Sequence, residues 1–304
     1  IAYNILKKND YDVVKVFPPI RVWGTIGFIV AMWITNLTGN KATVNQFYIA
    51  GAIAVFLGIY AFTLPKCEPQ NLIPKEASLI EKLGLNAFKL FGTYKMALFF
   101  IFSMFLGAAL QLTNMYGDVF LSDFSKIPQY ADSFVSRYST IIMSISQFSE
   151  TAFILAIPFF LKKFGIKNVM LMSMFAWVLR FGLFAYGLPV GFGLGLIILS
   201  CIVYGMAFDF FNISGSLFVE TSTDSKIRSS AQGLFMMMTN GFGAVIGSLA
   251  SGFLIQNYFT LENGDKMWHE IWLSFAFYSL IIAILFGIMF KHKHNPEVIE
   301  NIHD

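Results

Sequence analysis

Charge is scarce in this chain. Only 13% of its 304 residues are Asp, Glu, Lys or Arg, while 56% are hydrophobic, and the mean hydropathy is +0.65. The net charge of +3 is too small for a nucleic-acid-binding surface, and the basic residues gather in particular loops. Cysteine is scarcer still, with Cys67 in a basic loop and Cys201 in an apolar span. A disulfide between them would cross compartments, so both are expected as free thiols. Histidine is missing from most of the chain: His269, His292, His294 and His303 all fall at or beyond the start of the last apolar span. That argues against haem and histidine-based metal chemistry at membrane depth, and neither a metal nor a cofactor is expected. There is no initial Met and no signal peptide, and residues 1–17 are too polar to span a bilayer. The chain is therefore expected to begin partway through a longer protein.

What the chain does have is long apolar runs. A bilayer core takes roughly 20 apolar residues per helix. Eight runs of that kind lie near 23–39, 44–64, 94–122, 136–161, 167–187, 191–220, 230–256 and 268–290. The fold class is an all-α, polytopic membrane protein. Lys66, Lys75, Lys82, Lys89 and Lys95 follow the second run; Lys162, Lys163 and Lys167 follow the fourth. Lys226 and Arg228 precede the seventh, and Lys291 and Lys293 follow the eighth. The intervening loops are poorer in base. Basic loops favour the cytoplasmic side, which places both ends of the chain there.

Residues 65–93 are the longest polar interruption. Pro65, Pro69 and Pro74 open it, and from Glu76 to Phe91 the residues Leu79, Ile80, Leu83, Phe88 and Phe91 recur at helical spacing. This predicts a linker with an amphipathic helix in the membrane interface. It divides the chain into 1–64, with two spans, and 94–304, with six and a short tail. Six is the size of one half of a major facilitator bundle, so eight of twelve spans are expected here. Gly243, Gly247 and Ser251 recur every four residues and predict a close helix–helix contact.

Polar groups inside spans are the functional candidates, because lipid leaves them unsatisfied. Three spans each carry an i, i+3 pair: Gln111 with Asn114, Gln147 with Glu150, and Asp209 with Asn212. Residues three apart share a helix face, here expected to be the inward one. Amides and carboxylates without bases suit a neutral ligand rich in hydroxyls and ring nitrogens. A carboxylate at mid-helix costs on the order of 2.5–3.5 kcal/mol on insertion scales. Burial disfavours its charged form, so Glu150 or Asp209 could carry a proton. Phe28, Tyr204 and Phe208 could stack on a planar base, although packing is the commoner use of such rings. Arg21, after Phe17-Pro-Pro-Ile20, and Arg180, near the outer end of the fifth run, both read as snorkelling residues.

Three stretches carry a resemblance. They are Phe17-Pro-Pro-Ile-Arg-Val-Trp-Gly-Thr-Ile-Gly-Phe28, Ile142-Met-Ser-Ile-Ser-Gln-Phe-Ser-Glu150 and Val203-Tyr-Gly-Met-Ala-Phe-Asp-Phe-Phe-Asn-Ile-Ser-Gly215. Together with Ala231-Gln-Gly and Met238-Thr-Asn-Gly-Phe-Gly243, they resemble the nucleoside:proton symporter family of the major facilitator superfamily. The resemblance implies that residue 1 falls near the end of the family's fourth helix. It implies a monomeric, multi-pass importer of purine and pyrimidine nucleosides in the bacterial inner membrane, working by alternating access. The proton is its coupling ion, the lipid bilayer its surroundings, and nucleic acid is no partner. It assigns substrate contacts to Arg21, Thr25, Phe28, Gln111, Asn114, Gln147, Glu150, Tyr204, Phe208 and Asp209; Asn212 matches by type but receives no contact. Asp209 and Glu150 are the proton-coupling candidates, Asp209 slightly favoured. The second-half loop signature is degenerate, reading Leu161-Lys-Lys-Phe-Gly-Ile-Lys167.

Two other readings start from the same residues. A sugar:proton symporter of the same superfamily would present similar hydroxyl-binding groups. A non-transporting receptor or scaffold would bind without uptake. An intramembrane enzyme would want a His-Asp or Asp-rich set near one interface, and the carboxylates sit instead at mid-span on different helices.

Overall fold

A computed structural model describes the backbone of residues 13–64, 78–82, 84–224 and 227–292, with side chains except those of 13–21 and 81–82. It is built from helices. Among the described residues the only β contact is an isolated Thr260–Lys266 bridge. The chain divides into two compact units, Ile1–Glu76 and Ala77–Asp304.

The first unit contains α1 (Val13–Leu37) and α2 (Asn45–Ala61). They occupy the first two predicted runs. At 17 residues α2 is about 25 Å long at 1.5 Å per residue, and it buries none of its side chains within the unit. Its surface is apolar all round, as suits contact with lipid or another apolar face.

The second unit opens with α3 (Leu79–Lys82) and a 3-10 segment, Leu85–Gly92. The predicted amphipathic helix is thus two short pieces rather than one, and its first residues, like Cys67 and the linker prolines, lie outside the described residues. Gly84, at φ 69°, makes the break, and a Cβ there would lie 2.8 Å from the Ser230 hydroxyl. Glycine adopts this left-handed conformation without the steric cost of a side chain.

Then follow α4 (Tyr94–Asp123), the short α5 (Phe134–Arg137), α6 (Ser139–Ala185), α7 (Gly191–Ser222), α8 (Arg228–Met236), a π-helical turn (Met237–Gly243), α9 (Ala244–Tyr258) and α10 (Trp268–Met289). α6 is 47 residues long because two helices meet at Gly165, at φ 78° and ψ 166°. Its arms, 139–164 and 166–185, are the fourth and fifth predicted runs, joined by a hinge in place of a loop. α8, the π turn and α9 form one continuous apolar rod, Arg228–Tyr258. Among the described residues, α4, α6, α7, this rod and α10 are the five stretches long and apolar enough to cross a membrane, α6 being divided at Gly165.

Close packing sets the geometry. The rod lies against α4, where a Cβ on Gly107 would overlap the Thr239 carbonyl at 2.0 Å. One on Gly243 would lie 2.4 Å from the Met104 carbonyl oxygen, and one on Gly247 2.7 Å from Ala108 Cα. The Gly243-Gly247-Ser251 stripe is therefore a helix–helix contact, with Ser251 reaching the Tyr116 hydroxyl at 3.4 Å. The extra residue of the π turn lies next to this contact, where Thr239 meets Gly107. Aromatic rings fill the interior: Trp177, Phe181, Phe184 and Trp272 at one level, Phe99, Phe211, Phe218 and Phe235 at another.

Candidate functional site

The polar pairs found by spacing stand on α4, the first arm of α6, and α7. On α4, Gln111 is half-buried and Asn114 exposed, while Thr113 between them is 2% exposed. The first arm of α6 repeats the pattern. Gln147 and Glu150 are half-buried, and Ser146 and Ser149 are buried. On α7, Tyr204 and Asp209 are buried, and Phe208 and Asn212 are half-buried. α4 and the first arm of α6 thus each carry one set of polar groups that packing leaves half-buried or exposed and another that it buries.

One contact fixes α6 against α7. A Cβ on Gly205 would sit 2.5 Å from the Ser149 carbonyl carbon and 2.7 Å from the Glu150 nitrogen, so only glycine permits this approach. Beside it the Ser149 hydroxyl donates to the Ile202 carbonyl. The crossing puts the Gln147–Glu150 segment next to the Tyr204–Asp209 segment. Tyr204 and Phe208 stack with their planes 6° apart and centroids 5.8 Å apart, and Trp177 meets Tyr204 edge-on at 5.9 Å. A nearly flat aromatic wall results, one side of it backed by tryptophan. Asn212 donates to the Phe208 carbonyl at 3.2 Å and lines a cavity with room for about one water, together with Leu110, Trp177, Phe208 and Thr239. Part of its hydrogen-bonding capacity is thus used locally.

Arg180 departs from expectation. It is 0% exposed and does not snorkel. From the second arm of α6 its Nε donates to the Thr113 hydroxyl at 3.2 Å, and its Nη1 to the Ser200 carbonyl at 2.7 Å. Ser200 returns a bond to the Arg180 carbonyl at 2.9 Å. The guanidinium lies 4.6 Å from the Tyr204 ring and 5.0 Å from the Phe184 ring. Its Nη2 has no hydrogen-bond partner among the described residues. One cation therefore joins α4, α6 and α7 behind Tyr204. Cys201, a buried free thiol, belongs to the same layer. A usable signal for Arg180 was in the sequence: it shares a helix face with Trp177 and Phe184, three before and four after it, and both are buried.

In the first unit, Thr25 is half-buried and Phe28 is 55% exposed, both on α1. Arg21 is on α1 too, and its side chain lies outside the described residues. The spacing 21, 25, 28 puts all three on one face of that helix.

Known proteins resemble this chain over nearly its whole length. Residues 1–295 match a family model described as nucleoside H+ symporter. The chain is 54% identical over 301 residues to the xanthosine permease of Escherichia coli (strain K12), covering 99% of this chain and 71% of that protein. It is 53% identical over 294 residues to the nucleoside permease NupG of the same organism, covering 97% of this chain and 70% of that one. A crystal structure of a mutant nucleoside transporter NupG superposes with a TM-score of 0.88 at 52% identity, over 96% of this chain and 72% of the other.

Proposed function

Because the chain belongs to the nucleoside H+ symporter family, we propose that it imports nucleosides with a proton, using the open polar face of α4, α6 and α7 as its substrate surface. The observation that carries this reading is the Gly205 crossing, which sets the Gln147–Glu150 segment beside the stacked Tyr204–Phe208 pair. The amides Gln111, Asn114 and Gln147 offer donors and acceptors to ribose hydroxyls and base edges. Tyr204 and Phe208 offer a flat apolar surface to the ring. The resemblance also assigns contacts to Arg21, Thr25 and Phe28 of the first unit. Glu150 and Asp209 supply the titratable groups. Both a nucleoside permease and a xanthosine permease stand among the relatives, which supports purine as well as pyrimidine substrates. The family match sets aside the sugar symporter and the enzyme.

The chain is a multi-pass membrane protein. The bacterial inner membrane is its proposed location, with the basic loops and both chain ends on the cytoplasmic side. A cysteine at Ser78 should then react with an impermeant thiol reagent in inside-out vesicles and stay unlabelled in intact cells. Uptake decides the function. In proteoliposomes with an acidic exterior, labelled uridine and a labelled purine nucleoside should accumulate above equilibrium, and a protonophore should abolish the excess. Binding without accumulation would mark a receptor instead.

A further inference from the structure

Two adjoining cavities lie at the end of the second unit where α4 and the second arm of α6 begin and α10 ends. The described residues lining the first are all basic: Lys95, Lys167, Lys291 and His292, around about 670 Å³. The second, about 430 Å³, runs between α4 and α10 past Tyr94, Leu98, Ile288, Met289 and Phe290, and shares Lys95 and Lys291 with the first. We propose that this pair of cavities is a binding site for an anionic glycerophospholipid, with its phosphate among the basic side chains and an acyl chain along the groove.

The basic end is held in place. Lys95 Nζ lies 2.7 Å from His292 Nδ1; an ammonium only donates, so the ring nitrogen accepts and the imidazole is neutral. The same ammonium lies 5.2 Å from the centre of the Phe218 ring. Phe290 and His292 both pack on Phe218, at 5.3 and 5.4 Å. Lys167 donates to the Gly287 carbonyl at 2.9 Å and so ties α6 to the last turn of α10. Three ammonium groups around one cavity repel one another, and a phosphate diester relieves that repulsion with charge-assisted hydrogen bonds. The two helix starts add their positive dipole ends.

The groove selects a lipid over a free anion. Tyr94 and Ile288 are 67% and 68% exposed, and Met289 is 38% exposed, so a continuous apolar strip leads away from the charges. Inorganic phosphate would use only the basic cavity. A zwitterionic lipid would bring its own ammonium into a basic site. Only an anionic headgroup carrying an acyl chain satisfies both cavities. Basic pockets between helices at a membrane surface are suited to such headgroups.

Native mass spectrometry of the purified protein, with phosphatidylglycerol or phosphatidylcholine added, tests the site. The protein should retain phosphatidylglycerol in preference to phosphatidylcholine. Each of Lys95→Gln, Lys167→Gln and Lys291→Gln should weaken retention about fivefold, and the triple variant roughly a hundredfold. Ile288→Glu should also release the lipid, whereas a soluble glycerophosphate should compete weakly. Nucleoside binding by the same preparations reports that each variant is folded. Equal retention of the two lipids would overturn the proposal, as would undiminished phosphatidylglycerol binding by a folded triple variant. Full displacement by millimolar inorganic phosphate would reduce the site to a simple anion pocket and overturn the lipid assignment.

Discussion

α4 and the first arm of α6 each have two polar faces with opposite treatment. On the open face, Gln111, Asn114, Gln147 and Glu150 are half-buried or exposed. On the sealed face, Thr113, Ser146 and Ser149 are buried, and Arg180 bonds Thr113 and the Ser200 carbonyl. Both faces carry polar groups at membrane depth, where each needs a partner. On the sealed face Thr113 and Ser149 find partners inside the protein, whereas the side chains of the other face are left half-buried or exposed. A polar residue in a span is thus a binding candidate only when packing leaves it open, and burial sorts residues that spacing alone treats alike. Asp209 stands between the two cases. It is a carboxyl on the helix that forms the aromatic wall, yet only 2% exposed.

That intermediate position predicts the largest effect. A carboxyl buried at membrane depth is the candidate for a proton that is taken up and released with the state of the site. Asp209→Asn should abolish uphill accumulation in proteoliposomes while nucleoside exchange without a gradient persists. Glu150→Gln, at the more open position, should mainly weaken binding and leave accumulation pH-dependent. If both variants accumulate normally, the coupling group lies on neither face.

Next in size are the open-face amides. Gln111→Ala, Asn114→Ala and Gln147→Ala should each weaken nucleoside binding by about 1–3 kcal/mol, the cost of leaving a partner's polar group unsatisfied. Titration calorimetry on detergent-purified protein reads this directly. Melting temperatures should move less than affinity, because these side chains are half-buried or exposed. A fall in melting temperature with unchanged affinity would transfer the residue to the sealed face.

Arg180 should show a smaller effect on affinity and reverse part of the pattern. Removing it loses two charge-assisted bonds, and also relieves the desolvation of a buried cation, worth several kcal/mol. The two terms oppose each other, so Arg180→Met should melt close to the parent. Tyr204 loses the cation behind it, and binding should weaken about tenfold, or roughly 1.4 kcal/mol. Lysine, with no planar fork, should not restore it. Parent affinity in Arg180→Met would make the guanidinium a packing group only.

Much of this was legible in the sequence, and the exceptions have physical causes. The long apolar helices of the second unit follow from apolar run length, which the bilayer dictates. The run at 268–290 is α10, and the run at 191–220 is α7 with two residues added at its end. The three polar pairs follow from helical period. The Gly165 hinge was hidden because Lys162 to Lys167 reads as a loop; the backbone turns there within one residue, and Lys167 bonds the Gly287 carbonyl. The break at Gly84 was hidden because apolar spacing continues across it. Arg180 was misread because an arginine five residues from a helix end ordinarily reaches the interface, and only tertiary structure shows Thr113 and Ser200 waiting for it. Sequence period reports which residues share a face, but not what that face meets.

The smallest expected effect separates the two faces within four residues of α4. Thr113 lies between Gln111 and Asn114, points the other way, and accepts from Arg180 Nε. Thr113→Val keeps the shape and removes the acceptor, leaving a buried donor unsatisfied at a cost of about 1–2 kcal/mol of stability. Because the open face is untouched, nucleoside affinity should stay within about twofold of the parent. Combining Thr113→Val with Arg180→Met should recover most of that loss, since the donor that Thr113→Val leaves unsatisfied is then gone. Thermal melts of the two single variants and the double one close that cycle. Additive losses would mean that Thr113 and Arg180 contribute independently, and the sealed face would then be no single layer.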